Sequence, residues 1–413
     1  MSIFTNDESV KPYQRNYRWV ILTAVWFVYF CFGMCMRSVP PIVTPILNDL
    51  KMTYGEMGTV LGSWQFVYIP VAIFVGLAID KFGIRKSLFV GALIMGISEG
   101  IRYFVTGYAT LLPAVALFGA GGPVISVGAP KVVSLWFKDK GRAVAVGIYT
   151  TATWIGGLFG VAATNSLFMP LTGQSWRMTL LIYGLITLTF AITWGIFGRD
   201  VKKDETNTGD NVGILQTFVK LFKIRNVRIV LIAGLMSLLS EHGFYQWLPK
   251  IFEFENIAPD TAGFLAAIPL AAAIPAVLLI PRFVPSYSRG KFLALIAGVL
   301  VTGMLLSFFF DNWLRIVGLV CWGMTAPTLL PLFMLVLMDE PEVGSKYMGM
   351  AGGIYFCVAQ IGGFAGPLIM GKIVDFSGSF TPGIILFASV SFVMGLTALT
   401  LRLKKPAEPV QIV

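Results

Sequence analysis

Twelve apolar runs, each about twenty residues long, fill almost the whole 413-residue chain. They start near Tyr17, Glu56, Ser87, Leu111, Gly141, Met178, Val227, Thr261, Lys291, Trp313, Tyr347 and Thr381. A run of about 20 apolar residues matches the thickness of a bilayer's hydrocarbon core when it is helical. Backbone in hydrocarbon must satisfy its own hydrogen bonds, so only helices and closed barrels cross it. These runs are twice the length of a barrel strand, which leaves an all-α membrane protein. Composition agrees: 56% of residues are hydrophobic and 13% charged, against about 25% charged in soluble domains.

The runs divide into two sets of six, and a repeat marks the division. Gly147-Ile148-Tyr149, Ile155-Gly156-Gly157 and Gly160 return as Gly353-Ile354-Tyr355, Ile361-Gly362-Gly363 and Gly366, always 206 residues later (353 − 147). The copies fall in the fifth and eleventh runs. Either the match is chance among glycine-rich helices, or the chain is built from two similar halves. Two-repeat membrane proteins are typically transporters whose substrate lies between the repeats. The expected division is a tail 1–16, a six-helix bundle 17–197, a linker 198–226, a second bundle 227–402 and a tail 403–413.

Orientation follows from Lys and Arg, which collect on the side that holds both termini. The expectation is therefore cytoplasmic N- and C-termini in a bacterial plasma membrane, and a net charge of +10 that orients the chain in the bilayer. A nucleic-acid partner would need a basic soluble domain, and no segment supplies one. No cleavable signal is expected, because the first run is too long for a signal core. In the linker, Thr206–Gly213 reads as disorder-prone and Ile214–Phe222 as a short amphipathic helix along the membrane surface. The four cysteines lie inside runs and His242 is the only histidine, so no metal, cofactor or catalytic constellation is expected. Gly119–Gly122 reads as a helix-packing segment.

Three motifs carry function. After the second run comes Gly76-Leu77-Ala78-Ile79-Asp80-Lys81-Phe82-Gly83-Ile84-Arg85-Lys86. It resembles the G-x-L-x-D-x-x-G-x-R/K-R/K signature loop of the major facilitator superfamily, with Ala78 standing where the signature has leucine. The resemblance covers essentially the whole chain. It implies two six-helix bundles related by pseudo-symmetry, and a gate in which Asp80, Gly83, Arg85 and Lys86 form a charge cluster that breaks and reforms. The equivalent segment of the second half, Arg282 to Lys291, lacks the aspartate.

The second motif is Arg37 inside the first run. A charge at that depth costs about 2.5–3.5 kcal/mol on insertion scales and should face a cavity or partner; the alternative is that it reaches the outer headgroups. Arg37, Trp247-Leu248-Pro249, and Gly362 through Pro367, Gly371, Asp375 and Gly378 resemble the organic-anion and organophosphate branch of the superfamily. That resemblance implies an arginine that binds substrate. The fourth run, Leu117 to Pro123, lacks the acid that sugar-acid carriers of this branch use for coupling, and its text is closer to cyanate- and nitrate-type carriers.

The third motif is Glu241-His242 in the seventh run. An offset of 206 from Arg37 lands on Gly243, while aligning Pro45 with Pro249 lands on Glu241. The pair is thus the expected mate of Arg37 across the repeat, where phosphate-ester carriers of the family have a second arginine. A carboxylate needs only one guanidinium, held by both oxygens. Glu241 and His242 are the candidate proton-coupling residues. Glu99 and Arg102, three apart on one helix face, read first as a structural ion pair near the outer surface, with Glu99 the reserve coupling candidate.

Together these residues point to a monomeric carrier that imports a small organic anion by proton symport. A monocarboxylate such as a sugar acid fits best; cyanate or nitrate is the inorganic alternative. Tyr29, Gln65, Tyr68, Tyr149, Tyr245 and Gln246 are the further pocket candidates around Arg37. Two other readings stay open, an exporter of lipophilic compounds and a ligand sensor that does not transport. The first lacks its Gly-Pro pair in the fifth run; for the second, the linker is too short to hold a signalling domain.

Overall fold

A computed structural model describes residues 12–137, 139–200 and 214–403. The expected disorder-prone stretch of the linker and most of both expected tails lie outside these residues. All twelve expected spans are present as helices: Tyr17–Leu50, Tyr54–Phe82, Ile84–Phe104, Tyr108–Trp136, Val144–Leu171, Trp176–Phe197, Arg225–Tyr245, Pro259–Phe283, Ser286–Phe309, Asn312–Asp339, Tyr347–Ser377 and Thr381–Leu399. They are numbered here as spans 1 to 12. Among the described residues no strand occurs. The short linker helix is also present, at Ile214–Lys223.

The ends of the spans follow local chemistry. Span 2 starts on a capping box, with Thr53 and Glu56 each bonding the other's backbone amide, which satisfies two donors a helix start leaves bare. It ends at Gly83, whose φ of +82° favours a residue without Cβ. Span 11 ends likewise on Gly378, at φ +67°.

Span 1 is not one helix. An α-helix covers Pro12–Met36, a 3-10 turn covers Pro40–Ile42, and helix resumes over Val43–Leu50. Pro40 and Pro41 have no N–H, so the carbonyls of Met36 and Arg37 lack the helical donor four residues on. Arg37 stands in this break.

The repeated glycines set how each half packs. A Cβ on Gly160 would meet the Met34 carbonyl at 2.6 Å, and one on Gly156 would strike the Phe30 carbonyl. In the second half Gly362 and Gly366 press equally on the carbonyls of Leu235 and Leu239. Span 5 therefore lies on span 1 as span 11 lies on span 7, at a separation only glycine allows. The contacts relate Phe30 to Leu235 and Met34 to Leu239, an offset of 205 (235 − 30 and 239 − 34).

The halves meet along spans 2 and 11 and along spans 5 and 8, but only over part of their length. At the end away from the termini the seam is tight. Gly58, Gly62 and Gly371 abut the backbone of Pro367, Phe364 and Tyr54 on the opposite half, and Gly263 abuts Val161. Toward the termini the seam parts: a Cβ on Gly76, Gly147, Gly349 or Gly353 would meet nothing within 4 Å. The interior is thus closed at the far end and open at the end that carries both termini.

Candidate functional site

Arg37 is 5% exposed. Its guanidinium lies 4.2 Å from the centre of the Tyr245 ring on span 7, a cation–π contact across the two halves. Its Nε and Nη1 are buried and have no hydrogen-bond partner. Glu241 is within electrostatic reach of it, yet among the described residues no ion pair joins them. Snorkelling to the outer headgroups does not occur; the charge stays inside, at the seam.

Packing settles the ambiguity of the repeat. The offset of 205 makes His242 the structural mate of Arg37, between the two residues that sequence alignment alternately selects. The same offset relates Gln65 to Leu270. The second pair repeats on the glycine side: a Cβ on Gly157 would lie 3.4 Å from Arg37 and from Leu270, and one on Gly363 would lie 3.0 Å from Gln360 and 3.5 Å from Gln65. Where the first side has a cation and a leucine, the second has an imidazole and an amide. Gln65 Nε2 is 2.8 Å from His242 Nδ1 and donates a second, longer bond to the Gly363 carbonyl.

The remaining pocket candidates fall into two groups. Tyr245 and Gln246 join the seam beside Arg37. Tyr245 stacks on Trp322 at 5.5 Å and donates to the Ala266 carbonyl at 2.9 Å. Gln246 donates to the Leu61 carbonyl of the other half at 3.4 Å. Tyr29, Tyr68 and Tyr149 lie apart, on the first half. Tyr29 stacks on Phe32 and meets Tyr149 at 5.7 Å, while Tyr68 shares a hydrogen bond with Ser126 at 2.7 Å. Tyr29 is eight residues before Arg37, about 12 Å along a helix. These tyrosines therefore stand further along the first half, on the side of the termini.

Sequence reading missed Gln360 and the indoles of Trp64 and Trp322. The carbonyl oxygens of Gln65, Gln246 and Gln360 are buried without donors, and both indole N–H groups are buried without acceptors. Buried polar atoms are nearly always paired, and these five have no partner among the described residues. The available signal for Gln360 was an amide in an apolar run, next to the repeat at Ile361.

Glu99 and Arg102 form the expected ion pair, at 2.8 Å. They lie in the last turns of span 3, toward the closed end, with side chains 0% and 1% exposed. Span 3 carries them against the break in span 1, where Ser38 donates to Glu99 at 3.2 Å.

The signature loop also differs in detail from expectation. Asp80 pairs at 2.6 Å with Lys131 of span 4. The basic part of the loop is held by Asp200 instead, which accepts from the Arg85 amide at 2.9 Å and sits 3.0 Å from where a Gly83 Cβ would lie. The Arg85 side chain caps span 6 by donating to the Gly195 carbonyl. Lys86 is exposed. All these contacts lie within the first half and the start of the linker.

At the closed end, contacts run between halves. Asp375 accepts from the backbone amides of Tyr54 and Gly55 at 2.8 and 2.7 Å. Asn165, in a π-helical turn of span 5, donates to Pro41 and to Pro259. Thr44 bonds both Glu253 and Lys250. Burial pushes the Glu253 carboxyl above the usual carboxylate range and the Lys250 ammonium below its own. Among the described residues no group of side chains could hold a metal ion.

Comparison with known proteins places this architecture. The family profile of the Major Facilitator Superfamily matches residues 25–367. A hexuronate transporter of Bacillus subtilis (strain 168) is 24% identical over 388 residues, which cover 86% of this chain and 90% of that protein. A nitrite extrusion protein of the same organism is 24% identical over 372 residues, covering 86% and 87%. Among solved structures, the nucleoside transporter NupG superposes with a TM-score of 0.77 at 16% identity, covering 92% of this chain and 98% of that one.

Proposed function

The chain belongs to the Major Facilitator Superfamily, and on that premise we propose that it imports a small organic monocarboxylate, such as a sugar acid, together with a proton by alternating access. The observation that carries the reading is Arg37: a guanidinium inside the seam, with two nitrogens unpartnered and no ion pair among the described residues. A buried cation without a partner is costly, and an anion entering the cavity removes that cost by accepting its hydrogen bonds. A single guanidinium suits a single negative charge. Its structural mate is a histidine, so a phosphate dianion lacks the second fixed cation. The hexuronate transporter among the relatives supports a sugar acid.

The nitrite extrusion protein gives an inorganic monoanion some support. The three glutamine carbonyls favour the organic acid. Nitrate and cyanate bring acceptors alone and would leave those oxygens bare, whereas sugar hydroxyls donate to them.

Tyr29, Tyr68 and Tyr149 wall the approach, and Tyr245, Gln65 and Gln246 complete the pocket. Glu241 and His242 carry the proton, and Asp80 with Gly83, Arg85 and Lys86 belongs to the gate. The carrier works as a monomer in the bilayer of a bacterial plasma membrane, both termini cytoplasmic. The structure then corresponds to its inward-open state.

Uptake of radiolabelled gluconate, glucuronate and nitrate into proteoliposomes tests the assignment. Transport of a hydroxylated monocarboxylate is expected. Arg37→Lys keeps charge but loses the planar fork, and should weaken binding by about 10- to 100-fold, the value of a hydrogen bond to a charged group. Wild-type affinity in Arg37→Ala overturns the reading.

A further inference from the structure

Arg37 stands in a break that its own helix cannot hold. The helix before it ends at Met36, and two prolines follow. The conformation over Arg37–Val39 depends on what packs there.

Ser38 is 0% exposed. Its hydroxyl donates to the Cys35 carbonyl at 2.9 Å and to the Glu99 carboxylate at 3.2 Å. Arg102 faces the same carboxylate at 2.8 Å and steadies itself on Ser98 at 3.1 Å. Beside the break a void of about 10 Å³ is lined by Cys35, Met36, Val39, Pro40, Arg102 and Gln246, among others. That space suits at most one water, so bulk solvent does not support the break. A fully buried ion pair is weak evidence for stability, since desolvation offsets its attraction. The pair touches span 1 at Cys35 and at Ser38, the residue next to Arg37.

We infer that Glu99 and Arg102 are positioning residues for Arg37: they clamp Ser38, fix the break in span 1, and so aim the guanidinium at the seam. This rests on reading Arg37 as the anion-binding group. It assigns Glu99 an anchoring role in place of proton coupling.

Ser38→Ala is the sharpest variant, because it cuts the contact nearest Arg37 while leaving both charges of the pair in place. Binding of gluconate, glucuronate and lactate to purified full-length protein is measured by calorimetry, and uptake into proteoliposomes as a function of pH. Ser38→Ala should weaken the Kd about tenfold and leave the maximal rate and pH profile as in wild type. Glu99→Gln should weaken binding at least as much and, at saturating substrate, still show pH-driven accumulation. Wild-type affinity in Ser38→Ala overturns the inference. So does a Glu99→Gln protein that binds normally but no longer accumulates substrate against its gradient. If Arg37→Ala binds as wild type, or if none of the three acids binds wild-type protein, the anion-site reading itself falls and takes this one with it.

Discussion

At the scale of single residues, the proposed coupling rests on Glu241. It is a partly buried carboxylate within electrostatic reach of Arg37 but not paired with it. Loss of its charge on protonation would leave Arg37 facing the cavity with less competition, so an anion should bind better as pH falls. Linkage makes this reciprocal: bound anion favours the proton. Glu241→Gln should therefore retain exchange of substrate between the two sides while losing uphill accumulation driven by a pH gradient. If the variant accumulates substrate with wild-type pH dependence, Glu241 does not carry the proton. Arg37 and the Glu241-His242 pair were legible in the sequence because a charge inside an apolar run has few bland explanations. Which member mates with Arg37 was not, since a one-residue shift in offset is decided by glycine contacts between helices. Gln360 escaped notice because an uncharged amide breaks the apolar pattern only slightly.

At the scale of elements, the signature loop shows what a motif conveys and what it omits. Its residues are local in sequence, so the turn at Gly83 and the cluster of charges could be read directly. Their partners are not local. Lys131 lies 51 residues from Asp80, and Asp200 lies 115 residues from Arg85, separations that no spacing rule reaches. The Asp80–Lys131 pair ties span 2 to span 4 at the open end. Both side chains are over a quarter exposed, so water screens the pair and its worth is about 0.5–1 kcal/mol. Such a bond matters for balance between states and little for folding. Asp80→Asn should slow transport severalfold while gluconate still stabilises the purified protein against heat. Loss of that stabilisation, with the protein intact, would place Asp80 at the binding site instead. The break in span 1 is also an element-scale feature. Pro40 and Pro41 announced it, but the clamp on Ser38 comes from span 3 and needed the fold.

At the scale of the whole molecule, the two halves touch at one end and part at the other, and the contacts at the closed end decide how easily they rock. Asp375 is the most direct of these. Its carboxylate sits on the N-terminus of span 2 and takes two backbone amides from the opposite half, where the helix dipole favours a negative charge. Opening the far end must break both bonds, and in the open arrangement the amides and the carboxylate return to water. The contact therefore stabilises one state against the other without touching the substrate. Because Asp375 is exposed, its contribution is about 0.5–1 kcal/mol. Asp375→Asn removes the charge and one of the two acceptors. The ratio of far-end-open to far-end-closed molecules should rise roughly two- to fivefold, since 1.4 kcal/mol corresponds to tenfold. Spin labels at Thr106 and Asp260, exposed on opposite halves near this end, report that ratio as the weights of a longer and a shorter distance. Substrate added from the far side should meet more competent molecules and bind with a correspondingly lower apparent Kd. Unchanged distance weights in the variant would mean that Asp375 caps span 2 without contributing to closure, and that glycine packing along spans 2 and 11 holds the far end alone.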